Sequence, residues 1–193
     1  MTQASSRIAR RAAAAVALLL AAAGTASADG RLAGHLSVGY AQLMTAGAPG
    51  GNISFTGGVD LPLKPTLRIG ADLGYDLLGT RAVERGSLSA GVSYSAFEAA
   101  LFAHWLPEHL GPLGRVSAGP LLMAAHADLS AAAGGAGFSD LAVGGTAGGV
   151  AGEATFISRS ASPVRLGLQL GARAAFLSHE TWTLLSARLT IHY

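Results

Sequence analysis

The sequence has no cysteine, few charged residues and no apolar run long enough to cross a bilayer as a helix. Without cysteine there can be no disulfide, no thiolate metal site and no lipid anchor on a terminal cysteine. Charged residues make up only 12% of the chain, and no Lys/Arg cluster follows residue 28, so nucleic acid is not an expected partner. Yet 50% of the residues are hydrophobic and 27 are glycine, so the apolar residues must be spread over short segments.

The one long apolar run lies near the start of the chain. Arg7, Arg10 and Arg11 precede twelve apolar residues at 12–23, and a small-x-small motif follows at 26–28. A spanning helix needs roughly 18 or more such residues, so this pattern predicts a secretory signal peptide over residues 1–28 instead. The predicted mature domain is then 29–193, in which ten basic residues face eleven acidic ones.

Eight segments of the mature chain alternate between apolar and polar residues, the pattern of strands with one apolar face. The last one, 183–193, is the clearest: Leu185, Ala187, Leu189, Ile191 and Tyr193 alternate with polar residues. The predicted strands are 31–41, 53–61, 67–76, 88–105, 115–125, 144–156, 164–177 and 183–193. A phase change near Ser95 predicts a bulge or a loop in the fourth segment, and Pro120 fits poorly in the fifth, because proline cannot donate to a ladder.

The connections are expected to alternate between short turns, such as Pro62 to Pro65, and longer loops at 43–52, 77–87 and 127–139. Small membrane barrels have short turns on the periplasmic side and longer loops outside, which predicts where these loops lie.

Charged residues in these strands fall on the face opposite the apolar residues. Slipping the last strand by one position would put Arg188 into hydrocarbon, at a cost of about 2–4 kcal/mol near the midplane. The apolar face is therefore expected to face lipid, and the charged face to line the lumen of a barrel. Because isolated buried charges are costly, we expect them to pair there. The predicted lumen network is Asp60, Arg68, Asp72, Glu98, Glu153, Arg165, Arg173 and Arg188.

Aromatic residues on the apolar face are expected to form two belts at the membrane interfaces. The predicted outer belt is Tyr40, Phe55, Tyr75, Phe97 and Phe176, and the predicted periplasmic belt is Trp105, Phe156 and Tyr193.

The signal peptide, the eight segments and the terminal L-x-A-x-L-x-I-x-Y pattern resemble the small OmpA/OmpX-type outer-membrane barrel proteins. The resemblance implies an all-β, transmembrane, antiparallel up-and-down β-barrel of eight strands in the outer membrane of a Gram-negative-type cell. It implies a monomer surrounded by outer-membrane lipid and folded by the barrel assembly machinery, which reads the C-terminal strand. A structural or surface-interaction role is the function expected from it.

No catalytic residue, metal site or cofactor is predicted, since the six histidines lack the spacing of a zinc site on one helix or strand. Three alternatives stay open. The first is a lipid-modifying enzyme similar to lipid A deacylases, for which the closest groupings are His35 with Ser37, His126 with Asp128, and Ser178-His179-Glu180. The second is a narrow, porin-like pore, although eight strands leave little room for a channel. The third is a soluble, lipocalin-like barrel.

Overall fold

The computed structural model shows an all-β fold in which eight antiparallel strands close into one barrel. Each strand pairs with its neighbours in the chain, and β1 pairs with β8 to close the sheet. The predicted up-and-down barrel of eight strands is confirmed. The strands are β1 (Ala33–Leu43), β2 (Asn52–Lys64), β3 (Leu67–Arg85), β4 (Leu88–Trp105), β5 (Leu113–Ala133), β6 (Ala136–Ile157), β7 (Arg165–Phe176) and β8 (Thr181–His192).

The structure describes residues 32–44, 50–85, 88–107, 113–133, 136–158, 164–178 and 180–193. The predicted signal peptide, residues 1–28, lies outside this part of the chain, so the domain boundary stays a prediction. Among the described residues, no helix has the length and apolarity that crossing a membrane would require.

The two faces of the sheet follow from the alternation in sequence. Exposed and buried side chains alternate along all of β8, where Leu189 is 69% exposed and Arg188 is 1% exposed. Leu189 lies opposite Val38 of β1 and Leu168 of β7, so large aliphatic side chains of neighbouring strands share the outer face. A face of exposed aliphatic side chains suits a lipid environment, and it excludes the lipocalin-like alternative, in which the apolar face would point inward.

The turns shift slightly from their predicted places. The predicted turn at Pro62 to Pro65 is wrong in its first three residues, because β2 continues to Lys64 and the turn is formed by Pro65 and Thr66. The β2–β3 ladder is irregular between Pro62 and Lys64, near the strand end, where a missing N–H is tolerated. Pro120 does remain in β5, and the β4–β5 ladder omits it from its paired residues.

Two of the predicted upper loops are mostly strand. In place of a loop over 77–87, β3 and β4 pair as far as Arg85 and Leu88; in place of a loop over 127–139, β5 and β6 pair as far as Ala133 and Ala136. The Ala-, Gly- and Ser-rich sequence has weak strand preference, but a ladder already started in the barrel wall extends through it. The third predicted loop, 43–52, does separate β1 from β2, although residues 45–49 lie outside the described part.

The phase change near Ser95 has a different origin from the one predicted. The β4–β5 register runs from Leu88 to Trp105 without a shift, so β4 itself carries no bulge. The bulge lies on the facing strand, between Leu77 and Gly79 of β3. Gly79 has a φ of 87°, which a side chain would disfavour.

The interior is layered along the barrel axis. We call the end with the turn at 65–66 and the chain terminus the lower end, and the opposite end the upper end. The lower lumen holds most of the buried charged and polar side chains, and apolar ones fill the upper part. The buried apolar residues form one cluster, and Phe102 in it lies lower, beside His104. Its upper members, which we call the apolar cap, are Ala41, Leu43, Leu78, Ala96, Met123, Ala125, Ala147, Ala175, Trp182 and Leu184, with Tyr94 and Leu177 packed against the cluster.

Candidate functional site in the barrel lumen

Six of the eight predicted network residues are buried inside the barrel. Each is at most 4% exposed, and strand alternation places all of them on the inner face. The other two do not join the network. Arg68 and Arg165 occupy inward positions at the lower rim, where Arg68 is half-buried and Arg165 is exposed, and neither forms an ion pair with another described residue. The six buried residues are Asp60, Asp72, Glu98, Glu153, Arg173 and Arg188.

Arg173 of β7 is the centre of an upper charge cluster. Its Nε lies 2.7 Å from Glu98 Oε2, and its NH2 group donates to Glu153 Oε1 at 2.7 Å. Its NH1 group donates to Ser186 Oγ at 3.1 Å, and Gln169 Nε2 donates to the second oxygen of Glu153 at 2.6 Å. The guanidinium thus binds one carboxylate from the neighbouring strand β6 and one from β4, which lies three strands away across the lumen.

Arg188 of β8 extends this upper cluster to the opposite wall. Its Nε donates to Ser54 Oγ at 2.6 Å, and its NH2 group donates to Asp76 Oδ1 at 3.3 Å. Its NH1 group lies 3.7 Å from Glu153 Oε1, which also bonds Arg173. Six of the eight strands, all but β1 and β5, are therefore tied together across the lumen by two arginines and their partners.

A lower cluster surrounds Asp60 of β2. Arg115 donates to Asp60 Oδ2 at 2.9 Å, and His104 Nε2 lies 3.0 Å from Asp60 Oδ1. The other ring nitrogen of His104, Nδ1, is 2.8 Å from Ser117 Oγ, which fixes the ring orientation. His35 lies 3.1 Å from Asp72 through its Nε2 atom and 3.9 Å from Asp60 through its Nδ1 atom.

Glycines allow these side chains to reach across a whole strand. His35, Gly58 and Asp72 lie opposite one another on β1, β2 and β3, so the His35–Asp72 contact passes over Gly58. A Cβ on Gly58 would overlap Asp72 Oδ1, and a Cβ on Gly70 would overlap His104 Nε2. The absence of two side chains is what lets residues two strands apart meet in this narrow lumen.

Several network members were missed by sequence reasoning, although their strand phase placed them inside. Asp76 and His35 occupy the inner phase of β3 and β1, and Arg115 and His104 that of β5 and β4. They were missed because membership depends on which residues meet across the barrel, and that depends on the register between strands. Burial without a partner costs a polar group about 1–3 kcal/mol, so these contacts matter for stability.

The predicted belt aromatics all lie on the outer face, half-buried or exposed. Phe55, Tyr75 and Phe97 lie directly opposite one another on β2, β3 and β4 and form a continuous row across the upper part of the wall. At the lower end, the backbones of Tyr193 and Gly34 exchange two hydrogen bonds, and the Tyr193 ring covers the space above Gly34.

The groupings considered for catalysis do not form a lipid-facing triad. His35 and Ser37 both point into the lumen, and Ser37 is 5% exposed, so membrane lipid cannot reach its hydroxyl. His126 and Asp128 lie 3.2 Å apart at the upper end, both part-exposed. His179 lies outside the described residues, and Glu180 accepts a hydrogen bond from Trp182.

Comparison with known proteins supports the fold. No protein-family model and no curated protein matches this sequence. Neisserial surface protein A is similar in structure, with a TM-score of 0.52 and 12% identity over 83% of this chain and 95% of that one. Ail, the attachment invasion locus protein of Yersinia pestis, gives a TM-score of 0.49 and 12% identity over 84% of this chain and 99% of its own. The N-terminal barrel domain of Pseudomonas aeruginosa OprF gives a TM-score of 0.40 and 9% identity over 83% of this chain and 97% of that domain. At such identities the likeness concerns the fold alone, and this chain has the fold of the small eight-stranded outer-membrane β-barrel proteins.

Proposed function

We propose that this protein resides in the outer membrane and acts at the cell surface, as a structural element and as a contact surface for other macromolecules. The observation that carries this proposal is the unequal height of the barrel wall. Strands β3 to β6 have 18 to 22 residues, whereas β1, β2, β7 and β8 have 11 to 13. The upper parts of these four strands, residues 77–85, 88–96, 125–133 and 136–146, form what we call the projecting sheet.

The polarity of the projecting sheet indicates that it stands above the lipid. On its outer face, the hydroxyls of Thr80 and Ser93 lie 2.9 Å apart, and Ser130 donates to a backbone carbonyl. On its inner face lie Val92 and Tyr94, with Arg81 opposite Val92, and the Tyr94 ring contacts Trp182 of the apolar cap at 6.1 Å. The outer face of the projecting sheet therefore carries hydroxyl groups where the barrel wall below carries aliphatic side chains, as expected for a surface in water.

The two lateral edges of the projecting sheet offer backbone groups to a partner. The β6–β7 ladder ends at Gly149, so residues 136–148 of β6 pair only with β5 among the described residues. On the other side, the β2–β3 ladder ends at Asp76, and above it the described β-ladder of β3 runs with β4. Unpaired strand edges bind extended segments of other proteins by strand addition, and we propose this as the mode of contact.

The proposal includes the environment of the barrel. The exposed aliphatic face and the aromatic belts would contact outer-membrane lipid, and the chain would remain a monomer because the sheet is closed. The barrel assembly machinery would engage β8, which forms the closing seam with β1. The short turn at 65–66 would lie in the periplasm, and the projecting sheet outside.

Single-cysteine labelling of intact cells tests this orientation, since the natural chain has no cysteine to interfere. Ser130→Cys, on the outer face of the projecting sheet, should react with a membrane-impermeant maleimide in intact cells. Lys64→Cys, equally exposed at the lower end, should react only after the outer membrane is permeabilised. Equal labelling of both in intact cells, or recovery of the protein in the soluble fraction, would contradict the proposal.

Photo-crosslinking tests the contact surface. A photoreactive residue at Gly144, on the unpaired edge of β6, should give protein adducts on the surface of cells grown with their natural partners. The same residue at Leu189, in the lipid-facing wall, is the matched control and should give only lipid adducts. If position 144 gives no more protein adducts than position 189, the edge is not the contact surface.

A further inference from the structure

The lower cluster brings four potential metal ligands together from four neighbouring strands. They are His35 of β1, Asp60 of β2, Asp72 of β3 and His104 of β4, each at most 4% exposed. One ligand atom from each of His35, Asp60 and Asp72 can be chosen so that all three lie within 4.8 Å of one another. His104 Nε2 lies beside this group of three, 3.0 Å from Asp60 Oδ1.

Four potential ligand atoms of this cluster have no hydrogen-bond partner among the described residues: His35 Nδ1, Asp60 Oδ1, Asp72 Oδ1 and His104 Nε2. The Nε and NH2 groups of Arg115 lack one too. Two of the four ligand atoms, His104 Nε2 and Asp60 Oδ1, lie 3.0 Å apart as a His–Asp pair. Buried polar atoms normally find partners, so the unpaired His35 Nδ1 and Asp72 Oδ1 support an occupant that can bind both residues.

The charge balance of the lumen indicates the sign of that occupant. Five buried carboxylates face three buried guanidinium groups among the described residues, which leaves two negative charges uncompensated while the histidines are neutral. In the lower cluster, Arg115 bonds Asp60, whereas the group paired with Asp72 among the described residues is the His35 ring at 3.1 Å. A cation there would complete the pairing that buried charges require.

From this geometry we propose that the lower lumen binds a divalent transition-metal ion, with zinc as the natural candidate. The ligands are one ring nitrogen each from His35 and His104 and one carboxylate oxygen each from Asp60 and Asp72. Two imidazoles and two carboxylates suit Zn²⁺ in tetrahedral coordination, with bonds of about 2.0–2.2 Å. The ligand atoms must move toward a common centre to reach that geometry, because those of His35, Asp60 and Asp72 are spread over up to 4.8 Å.

Neighbouring residues support the site in the way that metal sites are usually supported. Ser117 Oγ, 2.8 Å from His104 Nδ1, orients the ring so that Nε2 faces the cluster. Gly58 and Gly70 leave the space in which the ligand atoms converge. The His192 ring stacks on His35 with centroids 5.6 Å apart, on the side of the cluster toward the lower end of β8.

The test uses the full mature barrel without an affinity tag, refolded in detergent micelles with either Co²⁺ or Zn²⁺. We expect one metal ion per barrel to survive gel filtration, and Co²⁺ to show the visible absorption of tetrahedral coordination. His35→Ala and Asp72→Asn should each weaken binding by about 100-fold, and Ser117→Ala by about 10-fold to 100-fold. A folded wild-type barrel that retains no metal would overturn the proposal.

Two control variants separate this site from adventitious binding. His126→Ala removes the part-exposed His126–Asp128 pair, and Asp76→Asn alters a buried carboxylate of the upper cluster, outside the proposed ligand set. Neither should change the metal stoichiometry or affinity. Heat-dependent gel mobility shows which variants have folded, and only folded ones are compared. If His126→Ala abolishes binding, or if folded His35→Ala and Asp72→Asn bind as tightly as wild type, the lower cluster is not the site.

Discussion

Replacing Arg173 with methionine tests whether the upper charge cluster stabilises the barrel. Arg173 is the only described cation within 4.0 Å of Glu98, and it also bonds Glu153. When Arg173 is replaced, Glu153 still has Arg188 NH1 at 3.7 Å and Gln169 Nε2 at 2.6 Å. The variant therefore leaves one buried carboxylate unpaired and a second one half-paired. Breaking a buried pair by removing one partner costs about 3–5 kcal/mol. With a urea dependence of about 2 kcal/mol per molar, the unfolding midpoint should fall by about 2 M.

Equilibrium unfolding by urea, in micelles or vesicles, measures this loss through tryptophan fluorescence and heat-dependent gel mobility. Arg165→Met is the matched control: the same substitution in the same strand, at an exposed rim position, should change stability by less than about 0.5 kcal/mol. Adding Glu98→Gln to Arg173→Met should restore about 0.5–3 kcal/mol, because the stranded charge is then removed. If Arg173→Met costs no more than Arg165→Met, the cluster is not a stabilising network.

Two further predictions concern the inner and outer faces of the wall. Gly58→Ala should destabilise the barrel by about 1–3 kcal/mol, because its Cβ would overlap Asp72, whereas Gly148→Ala, with open space around it, should be neutral in the same urea titration. Leu189→Arg should cost up to about 2–4 kcal/mol and slow insertion into vesicles, because it puts a charge on the lipid-facing wall, whereas Leu166→Arg, two residues nearer the lower end than the partner of Leu189, should cost less. Equal losses of stability for Gly58→Ala and Gly148→Ala would contradict the close packing at Gly58. Equal losses for Leu189→Arg and Leu166→Arg would contradict the greater depth assigned to Leu189 in the membrane.

The faces of the barrel could be predicted from sequence because they depend on a period of two along each strand. Arg188 and Leu189 are adjacent in the chain and belong to environments of opposite polarity, so either one fixes the phase of β8. The same reasoning placed Asp60 and Glu153 inside and Leu166 and Phe176 outside, as the structure has them. Neither inference requires knowledge of what lies on the neighbouring strand.

The contacts within the lumen could not be predicted in this way, because they depend on register between strands. Arg188 and Ser54 are far apart in the chain, and they meet because Gly39 lies between them in the barrel wall. The ligands proposed for a metal are similarly spread over four strands, so a search for histidines spaced along one strand misses them. The convergence of His35 and Asp72 across Gly58 is visible only once the register is known.

The phase change near Ser95 shows why a correct observation in the sequence led to the wrong structural element. Alternation along a strand reports the surroundings of each face, so a reversal can mean either that the strand has shifted or that the surroundings have changed. In β4 the strand does not shift, because even-numbered residues such as Tyr94 and Ala96 point inward throughout. The apolar residues change from even positions above Ser95 to odd positions from Phe97 on, so they change from the inner face to the outer face. The surroundings change: with the projecting sheet above the lipid, as proposed, the outer face leaves lipid above the row of Phe55, Tyr75 and Phe97, and the inner face passes from the charged lumen into the apolar cap. On that placement the reversal in β4 marks the height at which the wall leaves the membrane, and such a reversal, flanked by an outward aromatic, predicts a projecting strand instead of a loop.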